Sequence, residues 1–378
     1  YQGSTGGLSV TANEHIGSIG FSRLKGSSLF LSQKYQDGLD EVLFYTKVLT
    51  DLEVDSITNR TLCNVNIPDS HFKAYLVGNA AINTNGDAEI QCSEASAFTG
   101  TINCTNQNIS NLTGIEAFTS LTKLFCITNS ITNIDLSQNT ALTELNCSAN
   151  SLTALNVSQN VNLTKLECSY NNISSIGFST NTSLEVLDVS HNQISNINTS
   201  TNTLLEVLRA GNNTLTSIDV SANTSLIAIE VNNNQLSSID VSSNTNLLNL
   251  YAQNNSITGL DISLNTALNY LDISNNSLTS LNVANGNNTN FYDASNGGGS
   301  GNPAMDARQN AGLSCIKIDA GFTPPNSPAS SRWEKDAAAS YSSTCTPPCT
   351  INIPDANFKA YLVGNAAINT NGDAEIQC

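Results

Sequence analysis

The chain has 378 residues, a net charge of −17 and only 12% charged residues. That length allows two or three domains, and an acidic balance with 14 Lys and Arg argues against nucleic acid or an anionic membrane surface as partner. No run of 18 apolar residues occurs, so no membrane-spanning helix is expected. The chain opens at Tyr1 without Met or a charged-then-apolar leader, which reads as a piece or a processed product of a longer reading frame.

Residues 1–62 fit no repeat. Short strands are expected at 18–23 and 28–33. The alternation in Gly38-Leu-Asp-Glu-Val-Leu-Phe-Tyr45 predicts another. Leu49-Thr-Asp-Leu-Glu-Val-Asp55 reads as a short helix capped by Thr50 or Asp51. This strand and helix phrase resembles the close of a laminin-G-like, concanavalin-type jelly roll. The resemblance implies that 1–62 is the incomplete C-terminal tail of such a domain.

Residues 63–99 read as a helical N-terminal cap. Ile67-Pro-Asp69 sets up a helix that Phe72-Lys-Ala-Tyr-Leu-Val77 continues, and 95–98 is helical again. Between them, residues 83–94 fit a calcium-loop template, with oxygen donors Asn83, Asn85 and Asp87 at positions 1, 3 and 5, Ile90 at 8 and Glu94 at 12. Asn83 brings no charge where Asp is usual, and Ala88 stands where Gly makes the sharp turn. The loop therefore reads as a structural cap, with weak calcium binding as the alternative. No other cofactor is expected.

From about residue 100 to 310 the phrase Leu-x-x-Leu-x-Cys/apolar-x-x-Asn-x-Leu/Ile returns every 21 residues after a first step of 22. The Asn position reads Asn129, Asn150, Asn171, Asn192, Asn213, Asn234, Asn255 and Asn276. A fixed period of this length specifies a solenoid. The ladder position holds Cys104, Cys126, Cys147, Cys168, Val189, Ala210, Val231, Ala252 and Ile273, and the same spacing carries it on to Ala294 and Cys315. Residues 295–303 read as a loosened coil. Residues 311–346 read as a C-terminal cap, with a last strand in Leu313-Ser-Cys-Ile-Lys-Ile-Asp319 and 333–345 covering the open end.

Strand residues alternate faces. In Leu121-Thr-Lys-Leu-Phe-Cys126, Leu124 and Cys126 therefore point inward, and Lys123 and Phe125 outward. Twenty-one residues leave too little chain for a helix behind the strand, so the convex side is expected to be extended or 3-10. Parallel strands stack about 4.8 Å apart. An Asn where the chain leaves the strand must be satisfied, or it costs about 1–3 kcal/mol. Stacked amides can bond the backbone of the neighbouring coil. A second row, Asn139, Asn160, Asn181, Asn202, Asn223, Asn244 and Asn265, is expected to do the same at the opposite turn.

The repeat phrase, with Leu/Ile-Asp-Val-Ser-x-Asn-Thr at its turn, resembles the bacterial leucine-rich repeat with a cysteine ladder, as in internalin-type surface proteins. The N-terminal cap, Thr113-Gly-Ile-Glu-Ala-Phe118 and the Cys315-to-Cys345 close are similar to secreted leucine-rich proteins of Bacteroidetes and flavobacteria. The resemblance covers about 63–346. It implies a leucine-rich-repeat solenoid with parallel strands on the concave face, and an exported adhesin or surface binding protein.

The chain then restarts. Residues 353–378 repeat 67–92 at an offset of 286 with two differences, so 347–378 reads as the start of a second leucine-rich unit.

Where Cys alternates with Val, Ala and Ile along a ladder, it acts as a small core group. Cys315 and Cys345 flank the C-terminal cap and are expected to bond. Cys63 with Cys92 and Cys349 with Cys378 are each 29 apart and suggest further disulfides, although a duplication copies unpaired Cys equally well. Disulfides imply an extracytoplasmic location.

The outward row carries the binding candidates: Glu167, Asp188, Arg209, Glu230, Tyr251 and Asp272, with Tyr270 beside them and His191 at the edge. Tyr and Arg are hot-spot types. A solvated face without a ligand is the alternative. With three His in unrelated segments and no nucleophile elbow, metalloprotease helix or phosphate loop, no enzyme activity is expected. The reading is an extracellular binding or adhesion module that recognises a protein or a glycan through its concave face. Its rivals are a passive spacer, or a non-catalytic arm displaying a lectin-like domain of a larger secreted protein or polysaccharide-degrading enzyme.

Overall fold

The computed structural model of the protein describes residues 29–35, 38–45, 63–291, 303–325, 333–345 and 355–365. The chain divides into two units, Tyr1–Asn64 and Val65–Cys378. In the first, strands β1 (Leu29–Tyr35) and β2 (Gly38–Tyr45) form an antiparallel hairpin whose register slips at Gln33/Lys34. This matches the strands expected at 28–33 and 38–45. The expected strand at 18–23 and helix at 49–55 lie outside the described residues.

The second unit begins with helix α1 (Ser70–Val77). The Asp69 carboxylate caps it by accepting the N–H of His71 and Phe72, each at 3.0 Å. Phe72 and Leu76 on its inner face are fully buried. Helix α2 (Cys92–Ala97) starts at a capping box between Gln91 and Glu94. The two helices and the loop between them cover the first coil, where Phe98 and Phe118 meet edge to face at 6.2 Å.

The array follows as one parallel sheet of three-residue strands. They are β3 (Thr101–Asn103), β4 (Lys123–Phe125), β5 (Glu144–Asn146), β6 (Lys165–Glu167), β7 (Val186–Asp188), β8 (Val207–Arg209), β9 (Ala228–Glu230) and β10 (Asn249–Tyr251). The register advances by one repeat per rung, so Leu145 faces Leu166 and Leu166 faces Leu187. In these strands the middle residue is buried and its two neighbours are outward, the alternation the sequence predicts. The Leu, Ile, Val and Cys side chains fuse into a single core.

Towards its C-terminal end the solenoid gains a second wall. Strand β11 (Gly259–Asp261) pairs with β13 (Ser280–Asn282), which pairs with β15 (Cys315–Lys317) and then β17 (Ser340–Ser342). Meanwhile the main sheet continues through β12 (Tyr270–Asp272), β14 (Met305–Ala307) and β16 (Trp333–Lys335). Here the structure corrects the 21-residue extrapolation. Leu271 faces Met305, not residue 292, so the step after Ile273 is 34 residues and the ladder position passes to Ala307. Cys315 is no ladder residue; it lies on the second wall opposite Ser340. The C-terminal cap is built by extending both sheets, and its core is closed by Trp333, which packs on Phe291 at 5.2 Å, Phe322 at 5.0 Å and Tyr341 at 5.9 Å.

Both asparagine rows act as expected. Asn150 is typical of the first. Its Nδ2 donates to the carbonyls of Cys126 and Cys147, at 2.9 and 3.0 Å, and its Oδ1 accepts Ile131 N–H at 3.0 Å. Each amide thereby staples two coils. In the second row Asn160 Nδ2 donates to Leu136 and Asn139 carbonyls, at 3.0 and 2.9 Å. Two residues before the second-row asparagines, the backbone N–H of Ser137, Ser221 and Ser242 close back on the carboxylates two residues earlier, the Asx-turn chemistry that Asp-x-Ser provides.

A third helix, α3 (Ala356–Val363), lies in the restarted segment and is capped by Asp355 as α1 is by Asp69. Its Phe358 and Tyr361 are exposed, whereas Phe72, the equivalent of Phe358 in α1, is fully buried.

Candidate functional site on the concave face

The outward residues of the main sheet line up because the register never slips. Glu167 faces Asp188, Asp188 faces Arg209, Arg209 faces Glu230, Glu230 faces Tyr251 and Tyr251 faces Asp272. Six of the seven candidates therefore form one column. Tyr270 stands in the column beside it, next to Asn249.

Within the column, neighbours partly neutralise one another. Arg209 Nε donates to Glu230 at 2.9 Å. Asn146 Nδ2 donates to Glu167 at 2.7 Å, and Lys165 pairs with the same carboxylate at 3.1 Å. Lys123 pairs with Glu144 at 2.5 Å. Asp188 and Asp272 each accept the N–H and Oγ–H of the serine two residues on, Ser190 and Ser274. The rings of Tyr251 and Tyr270 meet at 4.6 Å, tilted by 33°.

Tyr270 corrects an expectation. It is only 3% exposed and forms a wall behind Tyr251 rather than a free hot spot. Burial pushes its phenol pKa up, and the neighbouring Asp272 adds to the rise. Burial also raises the Tyr251 phenol, helped by Glu230 and Asp272 and opposed by Arg209.

The sequence reading missed the end of the column. Asp272 faces Asp306, and Asp306 faces Glu334, so three carboxylates stack on successive rungs. Arg308 sits beside them, bidentate on Asp306 at 3.0 and 2.6 Å and 2.5 Å from Glu334. Its hydrogen bond to Asp306 is the main reason its pKa is held above the ordinary guanidinium range. Burial, with Asp306 adding, lifts the Asp272 carboxyl above its usual value against the opposing Ser274 bonds and Arg308. The signal was present: Met305-Asp-Ala-Arg-Gln-Asn310 repeats the phrase Leu271-Asp-Ile-Ser-Asn-Asn276. The longer step between them hid it.

The calcium-template residues are brought together, but onto one another. Asn83 Nδ2 donates to the carbonyls of Val77 and Asp87, at 3.0 and 2.8 Å. Asp87 Oδ2 accepts from Asn85 and Gln91, at 3.0 and 2.9 Å. Glu94 accepts the N–H of Thr84, Asn85 and Gln91, at 2.8, 3.2 and 3.0 Å. Among the described residues no group of three or more His, Cys, Asp or Glu is placed to hold a metal ion.

Cys315 and Cys345 form a disulfide with Cα atoms 5.8 Å apart, and Cys63 and Cys92 are each disulfide-bonded. Cys349 and Cys378 lie outside the described residues. The four ladder thiols of Cys104, Cys126, Cys147 and Cys168 are free and buried. Burial raises all four pKa values, that of Cys104 to about 12.

Comparison with known proteins agrees with this geometry. A family model for leucine-rich repeats (two copies) matches residues 161–202. The functional domain of internalin J from Listeria monocytogenes, which includes a cysteine ladder, aligns with 68% of this chain and 58% of its own at 32% identity and a TM-score of 0.57. The fold is an internalin-like leucine-rich-repeat solenoid. Internalin J of Listeria monocytogenes serotype 4b (strain F2365) is also 34% identical over 105 residues, 25% of this chain and 11% of the relative. The leucine-rich chain thus spans a small part of that full-length relative. Among the described residues no helix is long and apolar enough to cross a membrane.

Proposed function

We propose that the solenoid is an extracellular binding and adhesion module, and that a protein partner docks on the concave column around Arg209, Glu230 and Tyr251. The observation that carries the reading is the contrast along each rung. The inward positions repeat Leu, Ile and Val, while the outward column, held in strict register, changes from rung to rung. A core explains the first pattern and not the second. The column's carboxylates at Glu230, Asp272, Asp306 and Glu334, with Tyr251 among them, suit a partner with basic groups and an apolar edge. The disulfides support an oxidising compartment.

The rival reading is a spacer. The ion pairs Lys165–Glu167 and Arg209–Glu230 favour it, because they satisfy the face internally. The two readings separate on the double variant Arg209→Ala with Tyr251→Ala, measured as binding of the labelled chain to cell monolayers. A binding face predicts a loss of about tenfold or more, since hot-spot truncations remove about 2 kcal/mol or more. Unchanged adhesion would establish the spacer.

Two finer readings stand beside this one. Residues 1–62 are read as the tail of a laminin-G-like domain in a secreted bacterial protein of Bacteroidetes type. The loop 83–94 is read as a hydrogen-bonded clasp, with weak calcium binding as its alternative. To ligate calcium, Glu94 would have to release three backbone N–H groups. Isothermal titration with calcium is therefore expected to give no heat up to millimolar concentration. A saturable heat in that range would show that the loop binds calcium.

A further inference from the structure

Three residues past the end of each strand, where the chain turns off the sheet, the backbone adopts a left-handed conformation on every rung from Thr128 to Asn275. Four successive rungs place asparagine there: Asn212, Asn233, Asn254 and Asn275. Asparagine is among the few residues that accept this conformation readily. The other four rungs place Thr128, Ala149, Tyr170 and His191, and two of these are rings, Tyr170 at φ 53° and His191 at φ 52°. Adjacent rings on successive rungs can form a continuous surface, and the side-chain geometry shows that they do.

The rings are arranged as a surface. They stack face to face with centroids 3.9 Å apart and planes within 12°. His191 Nε2 lies 3.1 Å from Asn212 Nδ2, which fixes the imidazole from the far side. The backbone of each is bonded to the next rung, Tyr170 N–H to Ser190 at 3.1 Å and His191 N–H to Gly211 at 2.9 Å. Yet Tyr170 is 57% exposed. His191 covers one face of the phenol ring, and the preceding rung carries only the small side chain of Ala149 at the same position. The result is a rigid aromatic ledge, followed along the edge by amides.

The chemistry of this edge selects a ligand class. The row from Thr128 to Asn275 holds no carboxylate, lysine or arginine. It offers a flat π-face, a hydroxyl and a run of amides that both donate and accept. A sugar ring needs both: its C–H face packs on an aromatic ring and its hydroxyls bond amides. A nucleobase also stacks, but its phosphates would meet an edge without cations on a chain of net charge −17. The rungs repeat about every 4.8 Å, close to the length of one pyranose unit.

We infer that the Tyr170–His191 stack and the asparagine row that continues it form a carbohydrate-binding edge, which takes a neutral, extended oligosaccharide. One sugar ring packs on the open face of Tyr170 over Ala149, and later units lie along the amides of Asn212 and Asn233. This edge is separate from the column of Arg209 and Tyr251 and does not rest on the adhesion reading.

The test titrates the full chain with cellotetraose and, separately, with N,N′,N″,N‴-tetraacetylchitotetraose, read by calorimetry and saturation-transfer NMR. Binding of at least one at sub-millimolar Kd is expected. It should weaken about tenfold or more in Tyr170→Ala, a change the rung tolerates because Ala149 holds the same conformation. It should persist in Arg209→Ala with Tyr251→Ala, so failure of this edge and failure of the concave face are read independently. Tyr170→Asn checks the fold, since asparagine fills four equivalent rungs; it should retain the circular dichroism and melting temperature of the parent while losing the sugar. No binding of either tetrasaccharide at millimolar concentration overturns the inference. So does binding that Tyr170→Ala leaves unchanged.

Discussion

A buried amide costs free energy for each donor or acceptor left unmet, and the two asparagine rows differ in how many they meet. In the first row both the Nδ2 and Oδ1 atoms are bonded. In the second, Nδ2 donates twice, but the oxygens of Asn139, Asn160, Asn181, Asn202, Asn244 and Asn265 accept no hydrogen bond among the described residues. Asn223 differs because Thr199 stands one coil back, where Val157 and Val220 stand on other coils, and its hydroxyl donates to Asn223 Oδ1 at 2.7 Å. Thr199→Val is therefore expected to lower stability by about 1 kcal/mol, although it makes the core more apolar. Asn160→Ala strands two carbonyls and should cost about 2–3 kcal/mol. Urea titrations rank the two, and a stabilising Thr199→Val would contradict the account. The cysteine ladder follows the same logic of burial. With Cys104 at about 12 and the deeper thiols also raised, these groups stay neutral through mildly alkaline pH. They should resist iodoacetamide at pH 8 and react only after unfolding. Rapid labelling of the native protein would show that the coils open locally.

At the scale of elements, the first coil is held by one carboxylate. Asp69 caps α1 with one oxygen and with the other accepts Ser110 N–H and Oγ–H at 2.8 Å and Asn111 N–H at 3.2 Å. Burial alone would raise its pKa, but these bonds outweigh it and hold the carboxyl below the ordinary value. A depressed folded value means stability that is complete above the unfolded pKa of about 3.9 and is lost as pH falls through the folded value. The N-terminal cap should thus detach first in acid. Asp69→Ala should destabilise the chain by about 2–3 kcal/mol at pH 7, combining a lost helix cap with stranded donors. Its deficit should shrink as pH falls from 7 to 2, as thermal melts at the two pH values would reveal; an equal deficit at both would refute the clasp. The sequence announced Asp69 as a helix start, because Pro-Asp before a helical run is a local signal. It was silent on the bonds to Ser110 and Asn111, which join residues about 40 apart. The same limit explains the outward column. Register follows from a fixed repeat, so the alignment from Glu167 to Asp272 was legible. The burial of Tyr270 was not, because what lies against it is set by the long step after Ile273, where the period fails.

Across the whole array, that long step changes the electrostatics of one end. From Lys123 to Glu230, cations and carboxylates alternate closely enough to pair along the sheet. Beyond Tyr251 the column holds only carboxylates, Asp272, Asp306 and Glu334, and a single guanidinium, Arg308, contacts two of them. A parallel sheet places successive rungs about 4.8 Å apart, so like charges there repel unless a cation intervenes. Asp272, which Arg308 helps only through its charge, already titrates above the ordinary range. Arg308→Ala should push the Asp272 carboxyl further upward in the folded state. A raised carboxylate pKa penalises the folded form at neutral pH and ceases to do so once pH falls below the unfolded value of about 4. The variant should therefore lose about 1–3 kcal/mol at pH 7, less than a fully buried pair because Arg308 is half exposed. It should recover most of that loss at pH 4. Melting curves of both proteins at the two pH values decide the matter: a deficit that stays constant would mean that Arg308 acts by packing its aliphatic stem, and that the carboxylate stack is stable without it.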